Sequence, residues 1–333
     1  MSDIKVSVIV PVYNAENTIN ECLDSLVNQT IFDDMEVLIV DDCSADSSVL
    51  KIMDYEGKYP DHILFIKLEN NGGPGNARNV AMQYARGEYI GYIDSDDAAY
   101  PQMYEKLYYE AARTGADVVD GGFYDQKNDK AILYTYDELT GKLDAEKRSG
   151  LIIAGGYIWS KLFRRQFLAD EGICFRNAYV LEDFDYLTEI YAKASTIANV
   201  KEILYVYRDS EGSLSKTIAV DKYISNLTSA MAAVYVKTAG TEDYEGIREA
   251  VEYGLIQLYS YSVNAAMNAV YKGEHSKDSI IPVLTALRDM KAKFVKGGYD
   301  NKYVTNKISK KDIGIMKEND RSPADVLKLL RKD

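Results

Sequence analysis

Histidine and cysteine are almost missing: His62, His275, Cys22, Cys43 and Cys174 are all that the 333 residues contain. The cysteines are odd in number, widely spaced and form no C-x-x-C pair. That suits free thiols in a reducing cytosol better than a disulfide framework or a zinc site. The two histidines stand alone, one opening an apolar run and one in a helical tail, so neither has a partner for a catalytic triad or a ligand set. No G-x-S-x-G, Walker-type phosphate loop or H-E-x-x-H is present. No apolar run approaches the ~18 residues of a membrane span, and the opening MSDIKVSVIV has neither a basic segment nor a cleavage site, so no signal peptide is expected.

Positive charge is also scarce. Lys and Arg number 39 against 52 Asp and Glu, a net charge of -13. A nucleic-acid partner is therefore not expected, because affinity for phosphate backbones comes from concentrated cations. The imbalance is uneven: residues 273–333 carry 14 basic against 9 acidic side chains, and the other 272 residues carry 25 against 43. A basic tail on an acidic body is read either as a solvated face or as a weak attraction to an anionic membrane surface or acceptor. Hydrophobic residues at 47% and charged residues at 27% describe an ordinary soluble globular chain, long enough for one large domain or one domain with an appendage.

What is present is rhythm. KVSVIVPVY (5–13), MEVLIVDD (35–42), HILFIKL (62–68) and EYIGYID (88–94) read as strands, the first nearly continuous in β-branched residues as a strand buried on both faces should be. Segments 15–29, 44–59 and 75–87 between them carry helical spacing and Ser, Asp and Gly punctuation. Strand–helix alternation of this kind predicts an α/β fold with a doubly wound, mostly parallel sheet. From about Asp117 the pattern becomes mixed. Beyond 215, apolar faces such as Val220, Ile224, Leu227, Met231 and Val234 predict an all-helical region, which places a catalytic unit at 1–215 and a helical unit at 216–333.

Acids collect at the predicted carboxyl ends of the strands, the edge where open α/β sheets bind ligands. Asp94, Asp96 and Asp97 follow the fourth strand. Carboxylates at i and i+2 can converge on one hard cation, with helix capping by Asp97 the plainer alternative. Asp41 and Asp42 end the second strand and could accept from an imide N–H or ribose hydroxyls, or cap a helix. NNGGPGNARN (70–79) follows the third strand, not the first, so it is no dinucleotide-binding fingerprint; its glycines allow a tight turn and close backbone approach. Arg78, just inside the next helix, could present a guanidinium to the same edge or simply be a surface residue.

VSVIVPVYN, VLIVDDCSADSS, NGGPGNARN and GEYIGYIDSDD, in this order and spacing, closely resemble the family 2 glycosyltransferases of GT-A fold. WSKLFRR (159–165), LEDFDY (181–186) and YVYRDSEGSLS (205–215) resemble later motifs of bacterial members that build surface polysaccharides. The resemblance spans about 6–215. It implies a nucleotide-sugar donor, commonly a UDP-sugar, with Mn or Mg at the diphosphate. Pro11, Tyr13 and the backbone at Gly73 and Ser95 would line the donor site. Asp42, with Asp41 as alternative, would contact uracil, and Arg78 would lie near the uracil or diphosphate. Asp94 would approach the ribose or sugar, Asp96 would ligate the metal, and Asp97 would contact the donor sugar or support the metal.

Family 2 enzymes invert the anomeric centre in one displacement, so the acceptor hydroxyl needs a carboxylate to take its proton. The resemblance puts that base at Asp183, with Glu182 the alternative or an acceptor-positioning residue. Trp159 is open between a sugar-stacking platform and core packing, and Arg208 between the leaving diphosphate and a surface loop. The acceptor would be a glycan or lipid-linked glycan, the location cytoplasmic or at a membrane's inner face, and the tail either a homodimer contact, a membrane contact or packing for the catalytic unit. The competing classes are a non-catalytic nucleotide-sugar-binding scaffold, and an Asp-dependent phosphoryl-transfer enzyme. The latter class keeps its nucleophile after the first strand, where this chain has Pro11-Val12-Tyr13-Asn14.

Overall fold

Strand β1, Val6–Val12, is buried along its whole length, and its alternate side chains enter two different cores. Val6, Val8, Val10 and Val12 face one side of the sheet and Ile9 the other, which is why the run has to be apolar without interruption. The computed structural model describes residues 4–133, 136–208 and 220–330. Beside β1 lie β2 (Met35–Asp41), β3 (Ile63–Lys67) and β4 (Tyr89–Tyr92), all parallel, in the order β3-β2-β1-β4. The helices between them are α1 (Ile19–Val27), α2 (Ser48–Lys58) and α3 (Pro74–Met82). Helix α1 starts four residues later than its apolar spacing suggests, because Ala15 to Thr18 form a turn closed by backbone bonds to the Ala15 carbonyl.

After β5 (Ala98–Ala99) and α4 (Met103–Thr114), the mixed pattern resolves into β6 (Val118–Asp125), β7 (Lys130–Ile132), β8 (Gly141–Lys142), α5 (Ala145–Ala154), β9 (Lys161–Arg164), α6 (Arg165–Asp170), α7 (Glu182–Lys193) and β10 (Thr196–Tyr207). Strand β9 is inserted antiparallel between β4 and β6, and β10 runs parallel to β6, so one sheet extends as β4-β9-β6-β10-β5. The sheet is mixed with a parallel core, in keeping with the expected doubly wound α/β class.

Helices α1 and α4 cover one face; α3, α5 and α7 cover the other. On that second face sit α8 (Val220–Thr238), α9 (Tyr244–Tyr271), α10 (Lys277–Phe294), α11 (Lys302–Lys307), α12 (Lys310–Arg321) and α13 (Pro323–Val326). Ile224, Leu227, Met231, Val234, Leu255 and Leu258 share one continuous core with Leu151 of α5 and Leu187 of α7. The predicted boundary near 215 falls outside the described residues. No helix among the described residues is long and apolar enough to cross a membrane.

Candidate active site

The carboxyl ends of β1, β2 and β4 lie side by side, and the register carries Asp41 next to Val12. Asn14, held at φ 48°, staples these ends: its N–H donates to Ser44 Oγ at 2.9 Å and its Oδ1 accepts from Ala45 N–H at 2.9 Å. Pro11 is buried in β1, whereas Tyr13 is half exposed at the edge. Asp41 is buried; one oxygen accepts from Ser44 N–H at 3.1 Å and the other, Oδ1, has no hydrogen-bond partner among the described residues. Asp42 accepts from Gly72 N–H and Gly73 N–H, each at 2.8 Å. Its carboxylate is thus the clasp of the glycine turn, and burial holds it above the usual carboxylate range despite those two amides.

Gly73 starts α3 at φ 83°, and a Cβ there would stand 2.7 Å from the Ala178 carbonyl. Gly75 meets the Arg176 carbonyl in the same way, at 2.5 Å. These two glycines are therefore required for close approach of segment 174–181. Asn79 fastens the same segment by exchanging bonds of 2.9 Å with both the N–H and carbonyl of Phe175. The segment ends at Leu181, a non-glycine residue held at φ 63° immediately before Glu182 and Asp183 open α7. Such strain survives only where its surroundings enforce it.

Arg78 is the hub. It is nearly fully buried, donates from Nη1 to Glu182 Oε1 at 2.5 Å and from Nη2 to Asp94 Oδ1 at 2.8 Å, and lies over the Phe175 ring. Its Nε has no partner among the described residues. Burial works against the guanidinium, but Asp94 and Glu182 hold it firmly charged. The sequence left Arg78 open between a ligand contact and a surface residue; it is not at the surface, and its fork bridges the β4 edge to the start of α7.

Glu182 is raised by burial, with Arg78 opposing. Asp183, half-buried beside it, is raised to about 7 by desolvation and then by the Glu182 charge. Its carboxylate accepts no hydrogen bond from another described residue. A carboxylate near neutral pKa that no other described residue engages is suited to taking a proton.

In the Asp94–Asp97 turn, Ser95 and Asp96 are half-buried, while Asp97 is almost wholly buried. Asp97 Oδ2 accepts from Tyr205 Oη at 2.7 Å and Oδ1 from Arg208 N–H at 2.7 Å. Burial first, then Asp94 and Asp96, push it up to about 8. That field of crowded negative charge fits a divalent cation, although no cluster of three protein ligands occurs among the described residues. The protein's own donor toward such an ion would be Asp96. Residues 209–215 of the last motif lie outside the described residues; Arg208 itself pairs with Glu21.

Trp159 is buried, parallel to Tyr157 at 4.5 Å and Tyr205 at 4.3 Å, with Phe123 at its edge. Core packing, not an open sugar platform, is its position. The cations after it are structural too: Lys161 is fully buried against Asp120 at 2.9 Å, Arg164 pairs with Asp117, and Arg165 donates to the Gly87 carbonyl. Tyr205, Arg176 and Asp185 were missed in the sequence. A tyrosine or arginine among 28 tyrosines and 39 basic residues carries no local mark of being aimed at an acid far along the chain.

Acids, a glycine turn and a clamped arginine thus gather at the carboxyl edge of a doubly wound sheet, the edge where open α/β sheets bind ligands. The family model for glycosyl transferase family 2 matches residues 7–172. An uncharacterized glycosyltransferase, EpsJ, of Bacillus subtilis is 32% identical over 244 residues, 69% of each chain. The poly(ribitol-phosphate) beta-glucosyltransferase of Bacillus spizizenii is 33% identical over 62% of this chain but only 33% of its own length. Among solved structures, Staphylococcus aureus TarS residues 1–349 in complex with UDP-GlcNAc superposes with a TM-score of 0.71 over 95% of this chain and 90% of that one, at 23% identity. The chain belongs to glycosyltransferase family 2, and its fold is of the GT-A type.

Proposed function

We propose that the protein is a metal-dependent inverting glycosyltransferase that moves a hexosyl or hexosaminyl unit from a UDP-sugar to a hydroxyl of a glycan or lipid-linked glycan during surface polysaccharide synthesis. The observation that carries this is the Asp94–Arg78–Glu182 bridge at the start of α7, next to Asp183, whose carboxylate is bonded to no other described residue. The relatives' names support the substrate class: one is a beta-glucosyltransferase acting on poly(ribitol-phosphate), and TarS was solved with UDP and with UDP-GlcNAc. We place the reaction in the cytoplasm, at the membrane's inner face where the acceptor is lipid-linked. The catalytic unit is taken as 1–215 and the helical unit as 216–333.

In this reading the base of the nucleotide lies between Tyr13 and the Asp41–Asp42 pair, and Asp41 Oδ1, without a partner among the described residues, is an acceptor available to an imide N–H once the edge is closed by ligand. Asp42 keeps Gly73 and the glycine turn in place for the donor. Asp94 orients toward the ribose or sugar, with Arg78 fixing its rotamer. Asp183 takes the proton of the acceptor hydroxyl as that oxygen attacks the anomeric carbon and the nucleoside diphosphate leaves. Asp96 would hold Mn or Mg, which when bound neutralises charge on the departing diphosphate. The manganese-containing complex of the Pyrobaculum calidifontis mannosyltransferase PcManGT, at a TM-score of 0.56, is a structural neighbour consistent with that choice.

The test is a panel of UDP- and GDP-sugars, assayed for nucleotide release with a glycan acceptor and Mn or Mg. Release from a UDP-sugar, lost on chelation and restored by the metal, is the expected result; no release from any donor would defeat the proposal.

A further inference from the structure

The turn that carries Glu182 and Asp183 is held by α8 as well as by the glycine turn, and both the Glu182–Asp183 turn and α8 lie beyond the family-matched residues 7–172. Arg176 donates from Nη2 to the carbonyl of the strained Leu181 at 3.1 Å and from Nη1 to Ser229 Oγ of α8 at 2.7 Å, and pairs through Nε with Asp185 at 3.1 Å. Lys237, in the last turn of α8, reaches Asp185 at 2.8 Å and Glu189 at 3.2 Å, and donates to the Cys174 carbonyl at 3.0 Å. Asn226 of the same helix accepts from Tyr179 N–H at 3.2 Å. Asp185 and Glu189 are both buried on α7, so these cations meet carboxylates with little water to compete. The Lys237 contacts with Asp185 and Glu189 are ion pairs, and they and the hydrogen bonds all fall on 174–181 or on α7, the two pieces whose junction presents Glu182 and Asp183.

We propose that α8 is a positioning element of the active site: Lys237 and Ser229, acting through Arg176 and Asp185, hold Leu181 left-handed and so fix the direction of Asp183. This rests on Asp183 being the base, but the mechanical coupling stands apart from it. A covalently distant helix is needed because α7 has no side-chain cap at its N-terminus and Leu181 gains nothing locally from a positive φ. Neither Lys237 nor Ser229 belongs to the donor edge, so their loss should spare nucleotide binding.

The test compares parent, Lys237→Met, Lys237→Arg and Ser229→Ala, each by UDP calorimetry, steady-state transfer and hydrogen exchange over 176–186. Methionine keeps the stem and removes the charge, while Asp185 keeps Arg176 and Glu189 keeps Lys193. Lys237→Met should lower kcat by about 10–100-fold, the loss expected from a misplaced catalytic group, with UDP affinity within about twofold. Exchange at 176–186 should accelerate while β1–β4 stay protected. Lys237→Arg should restore most of the rate, and Ser229→Ala should show a smaller loss of the same pattern. If Lys237→Met fails to fold, Ser229→Ala decides. Unchanged kcat and exchange in a folded variant, or UDP affinity lost in step with kcat, would overturn the proposal. Absence of turnover in the parent would instead strike the transferase reading and leave the exchange comparison to settle this one.

Discussion

An acid that must accept a proton from a sugar hydroxyl works best when its pKa lies near the working pH, and Asp183 at about 7 meets that need. Its folded value is raised, so transfer should climb as pH passes through about 7 and level off above it. The stability sign is the reverse: the folded state binds that proton more tightly than the unfolded chain, so Asp183 costs stability above pH 7 and costs nothing below about 4. Asp183→Asn should therefore melt a few degrees higher than the parent at pH 8, by about 1–2 kcal/mol at most after solvent screening, with the gap vanishing toward pH 4. Calorimetric scans at the two pH values check this. At this scale the sequence placed the acids at one sheet edge, since they follow recognisable strands, but not the partners they meet there. Asp42 became a clasp and Arg78 a bridge because their partners, Gly72–Gly73 and Glu182, lie 30 to 104 positions away.

Among elements, the glycine turn and the long helix α9 separate function from stability. Gly73→Ala puts a Cβ against the Ala178 carbonyl at a positive φ, which should weaken UDP binding at least tenfold by displacing the turn. Leu258→Ala empties a fully buried site in the shared core and should cost about 2–5 kcal/mol, yet leave UDP affinity of the folded protein unchanged. Titration calorimetry beside denaturant unfolding distinguishes the two outcomes. The first four strands and three helices were legible because period and punctuation agree there. The antiparallel insertion of β9 was not, since a four-residue strand whose apolar residues are buried by neighbours on either side has no period of its own.

For the whole molecule, the helical tail is part of the core that α5 and α7 build, not a detached appendage. A chain ending after residue 215 should expose that apolar face, bind a hydrophobic dye and self-associate, which sizing chromatography would register. A monomeric, fully active truncation would refute this and the positioning role of α8 together. The tail's helices were visible in the sequence; their partner was not, because an amphipathic face records that something covers it and not what. The role proposed for Asp183 is that of the base in a glycosyl transfer from a UDP-sugar. The direct measurement is transfer by Asp183→Asn alongside its UDP affinity. With Asp183 as the base, kcat should fall at least about a hundredfold, the scale of general base catalysis, with UDP binding retained; transfer at the parent rate would remove Asp183 from that role.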